Sequence, residues 1–436
     1  MQLPRMLWTY WKSRHQRFES RAALEVWQQR RLAAFMHQTL VRSPYFKPFV
    51  GRPLHAWPMM DKALMMEHFD RMNTAGLLRD ELLACAMQAE RSRDFSSVVK
   101  GFSVGLSSGT SGSRGLFVVS PQERATWAGV MLARMLPRGL FAGERVALFL
   151  RANSNLYMAV RSPWLSFEFF DLMQPLSAHL ERLNRYAPSI IVGPAQLLRS
   201  LALARQQAQM AFAPRKLISC AEVLEPLDKV LLQQVFGAQG ELGEVYQATE
   251  GFLAATCSQG SLHLNEAHVH IEPEWLDEAR FVPVITDFSR ITQPVVRYRL
   301  DDILVRRAQP CACGSHEMVL ERIEGRCDDM LQLPGSDGER IAVLADGLSR
   351  ALAQALPLTA DYRLVQIAEA ELELFVQAEA AQLPLFRAQL EDYLHRQGVV
   401  TGLLRWRLHD TLPPAAPDAK RRRILRRWRA AEVACR

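Results

Sequence analysis

Apolar positions recur at helical spacing in the first hundred residues, where Leu32, Phe35, Met36 and Leu40 fall on one face. Ser43-Pro44 then ends that pattern, because the residue before a proline is pushed out of the helical region. From about residue 144 to 251 the pattern changes to short, continuous apolar runs. Val146-Ala147-Leu148-Phe149-Leu150, Ser189-Ile190-Ile191-Val192-Gly193 and Lys216-Leu217-Ile218-Ser219-Cys220 predict buried strands, and residues 195–207 and 226–236 predict helices between them. Strands that alternate with helices specify an α/β fold, with ligands expected at the C-terminal ends of the strands.

The chain has 436 residues, more than one core usually serves, so one large and one small domain are expected. No internal repeat interrupts it, and Pro413-Pro414-Ala415-Ala416-Pro417 predicts an extended loop. It holds no run of about 18 or more apolar residues, so no membrane span is expected. Residues 1–21 are too rich in Arg, Lys, Trp and His for a secretory leader, and cytoplasmic residence follows as the default. The net charge is +7, with much of the excess in Lys420-Arg421-Arg422-Arg423, Arg426, Arg427, Arg429 and Arg436. Such a run suits nucleic acid, an anionic membrane, CoA phosphates or an acidic carrier protein, and equally a solvated helix face. No zinc-finger, RNP or helix-turn-helix signature accompanies it, so a nucleic-acid partner is not expected.

Candidate chemistry begins at Ser107-Ser108-Gly109-Thr110-Ser111-Gly112-Ser113-Arg114-Gly115. Glycines allow turns that point successive backbone amides at one anion, and the hydroxyls add donors or reach Mg²⁺, so the run reads as a nucleotide phosphate loop. A flexible surface loop has the same composition. A P-loop is excluded, because that motif requires a lysine this segment lacks.

Further motifs follow in order: Tyr246-Gln247-Ala248-Thr249-Glu250-Gly251, Arg297-Tyr298-Arg299-Leu300-Asp301-Asp302, Gly325-Arg326-Cys327-Asp328-Asp329-Met330-Leu331, then Leu412-Pro413 and Lys420. With the loop and with Trp57-Pro58-Met59-Met60-Asp61-Lys62, they resemble the adenylate-forming superfamily. The branch most similar is that of the phenylacetate-CoA ligases, which is related to the adenylyltransferases of a deazaflavin coenzyme. The resemblance implies a large α/β adenylate-forming domain at 1–325, helical over 1–100, and a small, mobile α+β lid at 326–436. Ser107, Ser108, Gly109, Thr110, Ser111 and Gly112 would hold the ATP phosphates. Thr249 would contact phosphate and Glu250 would place Mg²⁺. Tyr246 and Ala221 would lie near the adenine, with Glu222 in the same Cys220-Ala221-Glu222 turn. Asp302 would accept the ribose hydroxyls and Arg326 would meet the ribose and phosphate region. Lys420 would reach from the lid to the charge developing at the α-phosphate, and Asp328 would be the hinge. Read without the resemblance, Tyr246 is a core residue, Glu250 a helix cap and Asp302 half of a surface ion pair.

Cys257, His263, Cys311 and Cys313 offer three thiolates and one imidazole, a full tetrahedral set for structural zinc. Some members of the same branch resemble this chain at all four positions and carry zinc there. The plainer alternative is buried apolar cysteine. Cys85, Cys220, Cys327 and Cys435 lack partners at ligand spacing, and disulfides are not expected.

The resulting expectation is an enzyme that uses ATP and Mg²⁺ to activate a carboxylic acid, aromatic by resemblance, as its acyl-AMP. It then passes the acyl group to a thiol of CoA. A carrier-protein phosphopantetheine is the alternative thiol, and an adenylyltransferase that stops at the AMP adduct, or a non-catalytic scaffold, are the other readings. The resemblance allows a homodimer.

Overall fold

The computed structural model describes residues 2–92, 98–107, 115–136, 138–151, 164–238, 240–414 and 421–428. Two helices open the chain, Gln2–His15 and Arg21–Gln38, the second capped by the Ser20 hydroxyl accepting from Ala23 N. Its apolar stripe Leu32, Phe35 and Met36 is buried, and the stripe ends in the 3-10 turn Leu40–Arg42 just before Ser43-Pro44.

A small antiparallel sheet follows, with strands β1 (Val98–Val99), β2 (Phe102–Leu106) and β3 (Leu116–Val119). The large sheet then starts with parallel strands: β4 (Glu144–Leu150), β5 (Leu165–Asp171), β6 (Ile190–Gly193), β7 (Lys216–Cys220) and β8 (Glu241–Ala248). The apolar runs predicted here as strands are continuous because both faces are covered. Ala147, Phe149, Ile191 and Leu217 pack under the helices Ala195–Gln206 and Pro226–Phe236. Their alternate neighbours Val146, Leu148, Val192 and Ile218 pack on the opposite face with the helix Pro121–Met135 and with Met6 and Tyr10 of the first helix.

Beyond β8 the sheet turns antiparallel. It runs through β9 (Gly251–Thr256), β10 (Leu262–Leu264), β15 (Val319–Arg326), β14 (Asp302–Arg306), β12 (Arg280–Asp287) and β11 (Val269–Trp275), with β13 (Val295–Arg299) also on β12. The 3-10 turn Cys327–Asp329 leads away from it.

The remaining residues build a smaller α+β unit. Strands β16 (Leu331–Pro334) and β17 (Arg340–Val343) form a hairpin, and β18 (Tyr362–Ala368), β19 (Glu371–Val376), β20 (Arg405–His409) and β21 (Ile424–Arg426) form a second sheet. Helices Ala345–Ala353 and Leu383–Arg396 complete its core, and Leu227 is the one buried residue of the large unit in that cluster. No helix among the described residues is long and apolar enough to cross a membrane.

Candidate active site and metal cluster

The serine- and glycine-rich run falls in sequence between β2 and β3, which pair antiparallel. Ser108, Gly109, Thr110, Ser111, Gly112, Ser113 and Arg114 lie outside the described residues. Its base is closed by Ser107, whose backbone N–H donates to Gly115 O at 2.7 Å while its hydroxyl oxygen accepts from Gly115 N at 2.7 Å. Ser107 is thus the pin of the loop. Below it, Gln293 bonds both Val118 N at 2.8 Å and Leu116 O at 3.0 Å, which fastens β3 to the large sheet's side of the molecule.

Two of the sequence motifs meet beside that base. Met60 N donates to Arg297 O and Arg299 N to Met60 O, each at 2.8 Å, so Met60 bridges the strand carrying Tyr298. Asp61 caps the next helix by accepting from Leu64 N at 2.8 Å, and the Lys62 stem lies where a Cβ on Gly115 would meet it at 3.5 Å. Arg297 has positive φ (44°), a strained geometry for a bulky residue; its guanidinium donates to the carbonyls of His55 and Trp57.

Thr249 and Glu250 form the turn between β8 and β9, at the C-terminal end of the parallel strands. Glu250 accepts a hydrogen bond from Tyr298, whose hydroxyl holds its proton far above the usual phenol range. Burial is the larger cause, and Glu250, Asp301 and Asp61 add to it. Tyr246, on β8, is buried and donates its hydroxyl to Asp302 Oδ2 at 2.7 Å. Burial, then Asp302 and Glu250, push its acidity down so that it too stays a donor. Asp302 and Arg326 face each other across the β14–β15 pair, Asp302 Oδ1 lying 3.7 Å from Arg326 Nε. The structure therefore gathers Tyr246, Glu250, Asp302 and Arg326 at one edge, with Tyr298 as a member that spacing alone did not single out.

The Cys220-Ala221-Glu222 turn leaves β7 with Ala221 at φ 66°. Both Glu222 oxygens are taken up by main-chain donors, Gln196 N at 3.1 Å and Arg421 N at 3.2 Å. Lys420 lies outside the described residues, but its neighbour Arg421 is fixed at this turn.

Of the basic run, Arg421, Arg422 and Arg423 are not a solvated face. Arg423, 2 % exposed, bonds Glu225 at 2.8 Å, Asp228 at 2.9 Å and Asp361 at 3.1 Å, and lies over the Tyr362 ring. Arg421 bonds Asp361, Arg422 bonds Asp329 at the start of the smaller unit, and Arg199 bonds Asp228 at 2.9 Å and the carbonyls of Leu358 and Ala360. Asp228, Glu225 and Arg199 belong to the large unit and Asp361 to the smaller one. The arginines join the two.

Away from this edge, Cys257, His263, Cys311 and Cys313 put four ligand atoms within 4.8 Å of one another. Cys257 Sγ and Cys311 Sγ are 3.7 Å apart, and Cys313 Sγ is 3.4 Å from His263 Nε2. A tetrahedral site with zinc–sulfur bonds near 2.3 Å requires sulfur–sulfur separations of about 3.8 Å, so the set fits. His263 Nδ1 faces Glu317 O at 3.2 Å, which turns Nε2 toward the sulfurs. For Cys311, burial opposes ionisation, but hydrogen bonds from Ser261, the Cys313 backbone and His263 outweigh it and lower the thiol to about 5. Cys313 is pushed up to about 11 by burial and by the neighbouring Cys311 and Cys257 sulfurs. A divalent cation would relieve that repulsion.

No family model matches the chain. It superposes on a solved 2-hydroxyisobutyryl-CoA ligase in the postadenylation state, bound to R3-HIB-AMP, with a TM-score of 0.63, 17% identity, and coverage of 92% of this chain and 88% of that one. The same ligase in its thioesterification state, with 2-HIB-AMP and CoA, gives 0.51. The amide bond synthetase McbA from Marinactinospora thermotolerans also gives 0.51, at 15% identity over 73% of this chain and 68% of that one. Among curated proteins, an indoleacetate–lysine synthetase of Pseudomonas savastanoi is 26% identical over 139 residues, 30% of this chain. The match spans about a third (33%) of that relative's length. The fold is that of the adenylate-forming ligases.

Proposed function

We propose that this protein activates a carboxylic acid with ATP as an acyl-AMP and transfers the acyl group to a thiol, with CoA as the acceptor. The observation that carries this reading is the convergence of Tyr246, Asp302, Arg326, Glu250 and Tyr298 at the C-terminal edge of the parallel strands. Adenylation brings a carboxylate against a triphosphate, so the site must place positive charge and donors around crowded anions. Asp302, held by the Tyr246 hydroxyl, accepts the ribose hydroxyls, and Arg326 meets the ribose and α-phosphate. Ala221 and the Tyr246 side flank the adenine. Thr249 and the loop 107–112 hold phosphate, and the Lys62 stem at the loop base supplies a cation where the run itself has no lysine.

Glu250 suits Mg²⁺: Tyr298 satisfies part of its carboxylate, and the remaining oxygen capacity is that of a hard-cation ligand. An ion held there would neutralise phosphate charge. The tyrosine proton keeps Glu250 oriented for that contact.

Lys420 is assigned to the charge developing at the α-phosphate, because Arg421 beside it is docked on Glu222 in the adenine-side turn. We place the boundary of the two units at 325/326, with Asp328 as the pivot. Moving the lid requires Arg423 and Arg421 to leave Glu225, Asp228 and Glu222, while Arg422 keeps Asp329 within the lid. The Cys257, His263, Cys311 and Cys313 set holds structural zinc, and with four protein ligands it leaves no position for substrate. An aromatic acid follows from the branch resemblance.

A second reading has an amine as acceptor. It is favoured by the likeness to an amide bond synthetase and the match to an indoleacetate–lysine synthetase.

Pyrophosphate release from ATP and Mg²⁺, measured with aryl and aliphatic acids, separately with CoA, with a phosphopantetheinylated carrier and with lysine, tests both. Acid-dependent release is the expected result, and the acceptor that accelerates it names the second step. Release with no acceptor dependence points to an adenylyltransferase, and ATP binding without release under any condition rejects the ligase reading. Lys420→Ala should lower release at least about thousandfold while ATP still binds.

A further inference from the structure

The first helix, Gln2–His15, buries Met6, Tyr10 and Ser13 against the helix Pro121–Met135 and its surroundings. At about 100° per residue, Leu3 beside the buried face, then Leu7, Trp11 and Trp8 form an apolar arc that runs from its flank around to the far side of the helix. These are 52%, 42%, 54% and 63% exposed, which is unusual for four large apolar side chains on one helix. Trp8 and Trp11 stack on each other with ring centroids 5.5 Å apart, leaving a paired indole surface in water. Arg5 and Lys12 lie along one edge of this apolar arc, the Lys12 ammonium 5.0 Å from the centre of the Trp27 ring, and Arg17 follows the helix with its guanidinium on the Arg14 and Gln16 carbonyls; all three are exposed. The first acidic residue of the chain is Glu19.

We propose that this face lies on an anionic lipid bilayer. Leucines would enter the acyl boundary, the stacked indoles would sit at headgroup depth, and Arg5, Lys12 and Arg17 would meet the lipid phosphates. The helix is about 21 Å long and its other side is occupied by protein, so it binds in the plane of the surface and does not span it. Charge favours this occupant over a second copy. A two-fold contact through the same face would bring one set of cations against the other, with no acid in residues 1–18 to offset them. The inference stands independently of the proposed chemistry.

The test is co-sedimentation of the full chain with vesicles of phosphatidylcholine alone and of phosphatidylcholine mixed with phosphatidylglycerol. Binding is expected on the mixed vesicles, with weakening as salt is raised. The Trp8→Ala/Trp11→Ala double variant should partition at least about tenfold more weakly, because each indole removed takes away apolar burial. Arg5→Glu/Lys12→Glu should weaken binding on the mixed vesicles only. The melting temperature of each variant is measured alongside, and a loss of binding in a variant that melts as the wild type is attributable to the surface. Equal partitioning of wild type and the tryptophan variant, or no binding to phosphatidylglycerol vesicles at low salt, overturns the proposal. So does a concentration-dependent dimer that the tryptophan variant abolishes, which would give the face to a second copy.

Discussion

Strand β9 has Glu250 before its first residue and Cys257 after its last, while β15 starts beyond the Cys311-Cys313 loop and ends on Arg326. The same two strands therefore serve two charged clusters of opposite character. At the sulfur end, four ligand atoms lie within 4.8 Å of one another, and the donors Gln259 N and Ser315 N already point at Cys257 and Cys313. At the carboxylate end, Asp302, Arg326 and Glu250 are half-buried, and the Asp302–Arg326 contact is a loose 3.7 Å. A cluster whose members satisfy one another is built to hold strands together, whereas one with valence left over is built to receive a ligand. A strand of six residues separates the two by roughly 20 Å, so damage at one end should be readable apart from damage at the other.

Asp302→Asn breaks the open end. It removes the negative charge that faces Arg326 and replaces one carboxylate oxygen assigned to the ribose with an NH2 donor, and a hydrogen bond to a charged group is worth roughly ten- to a hundredfold. Acid-dependent pyrophosphate release should fall by at least that much, while metal content and melting temperature stay as in the wild type. Unchanged release would take Asp302 out of the site. Cys311→Ala breaks the closed end with the reverse signature. Bound zinc, measured by atomic absorption, should drop from one equivalent toward none, and the melting temperature should fall by about 5–10 °C. Below the new melting temperature, release should stay within about threefold of wild type. Loss of chemistry in folded, metal-free protein would instead give the metal a part in the reaction.

A smaller effect is expected where the two units meet. Arg423→Met leaves Asp228, Glu225 and Asp361 short of a partner in a buried setting, at a cost of about 3 kcal/mol to docking. The melting curve should split into two transitions, with zinc retained. A single transition at the wild-type temperature would show that the arginine run does not couple the units.

Which parts were legible in the sequence follows from how far apart the partners lie. The parallel strands were readable because helices on both faces force apolar runs such as Lys216–Cys220, found at the same bounds. Pro226–Phe236 was readable from its period and its opening proline. The clustered Cys257, His263, Cys311 and Cys313 could be named because each carries distinctive chemistry, although Cys257 and Cys311 stand 54 residues apart. The fate of Arg421–Arg423 was not readable, because a run of cations looks the same whether it is solvated or paired. Its partner Glu225 lies 198 residues away from Arg423. Glu222 reads as part of an adenine-side turn, yet its oxygens are engaged by Gln196 and Arg421, a pairing that only the folded chain reveals. Tyr298 stands inside the Arg297–Asp302 motif, but its bond to Glu250, on the turn between β8 and β9, is a long-range pairing that no local pattern encodes. Ser108, Gly109, Thr110, Ser111, Gly112 and Lys420 keep only their sequence assignment, since they lie outside the described residues.

Acid sharpens the contrast between the regions, with the smallest effect. His268 sits near the metal end, and burial, with Arg134, Arg31 and Lys12 around it, lowers it from 6.5 to about 3. The folded chain refuses a proton that the unfolded chain accepts, so stability is lost as pH falls from the unfolded value near 6.5 toward 3. Asp361, in the smaller unit, behaves otherwise. Burial opposes its charge, but Arg421 and Arg423 outweigh that and hold it below its ordinary 3.8. Its contribution is complete above that value and fades only as pH drops through the lower folded one. Between pH 6 and 4, then, the transition of the large unit should move down while Asp361 still holds the docking arginines Arg421 and Arg423. His268→Gln should flatten the first slope and Asp361→Asn should leave it intact while weakening docking at neutral pH. Calorimetry at several pH values reads both, and an unchanged slope in His268→Gln would place the acid sensitivity on the thiolates instead.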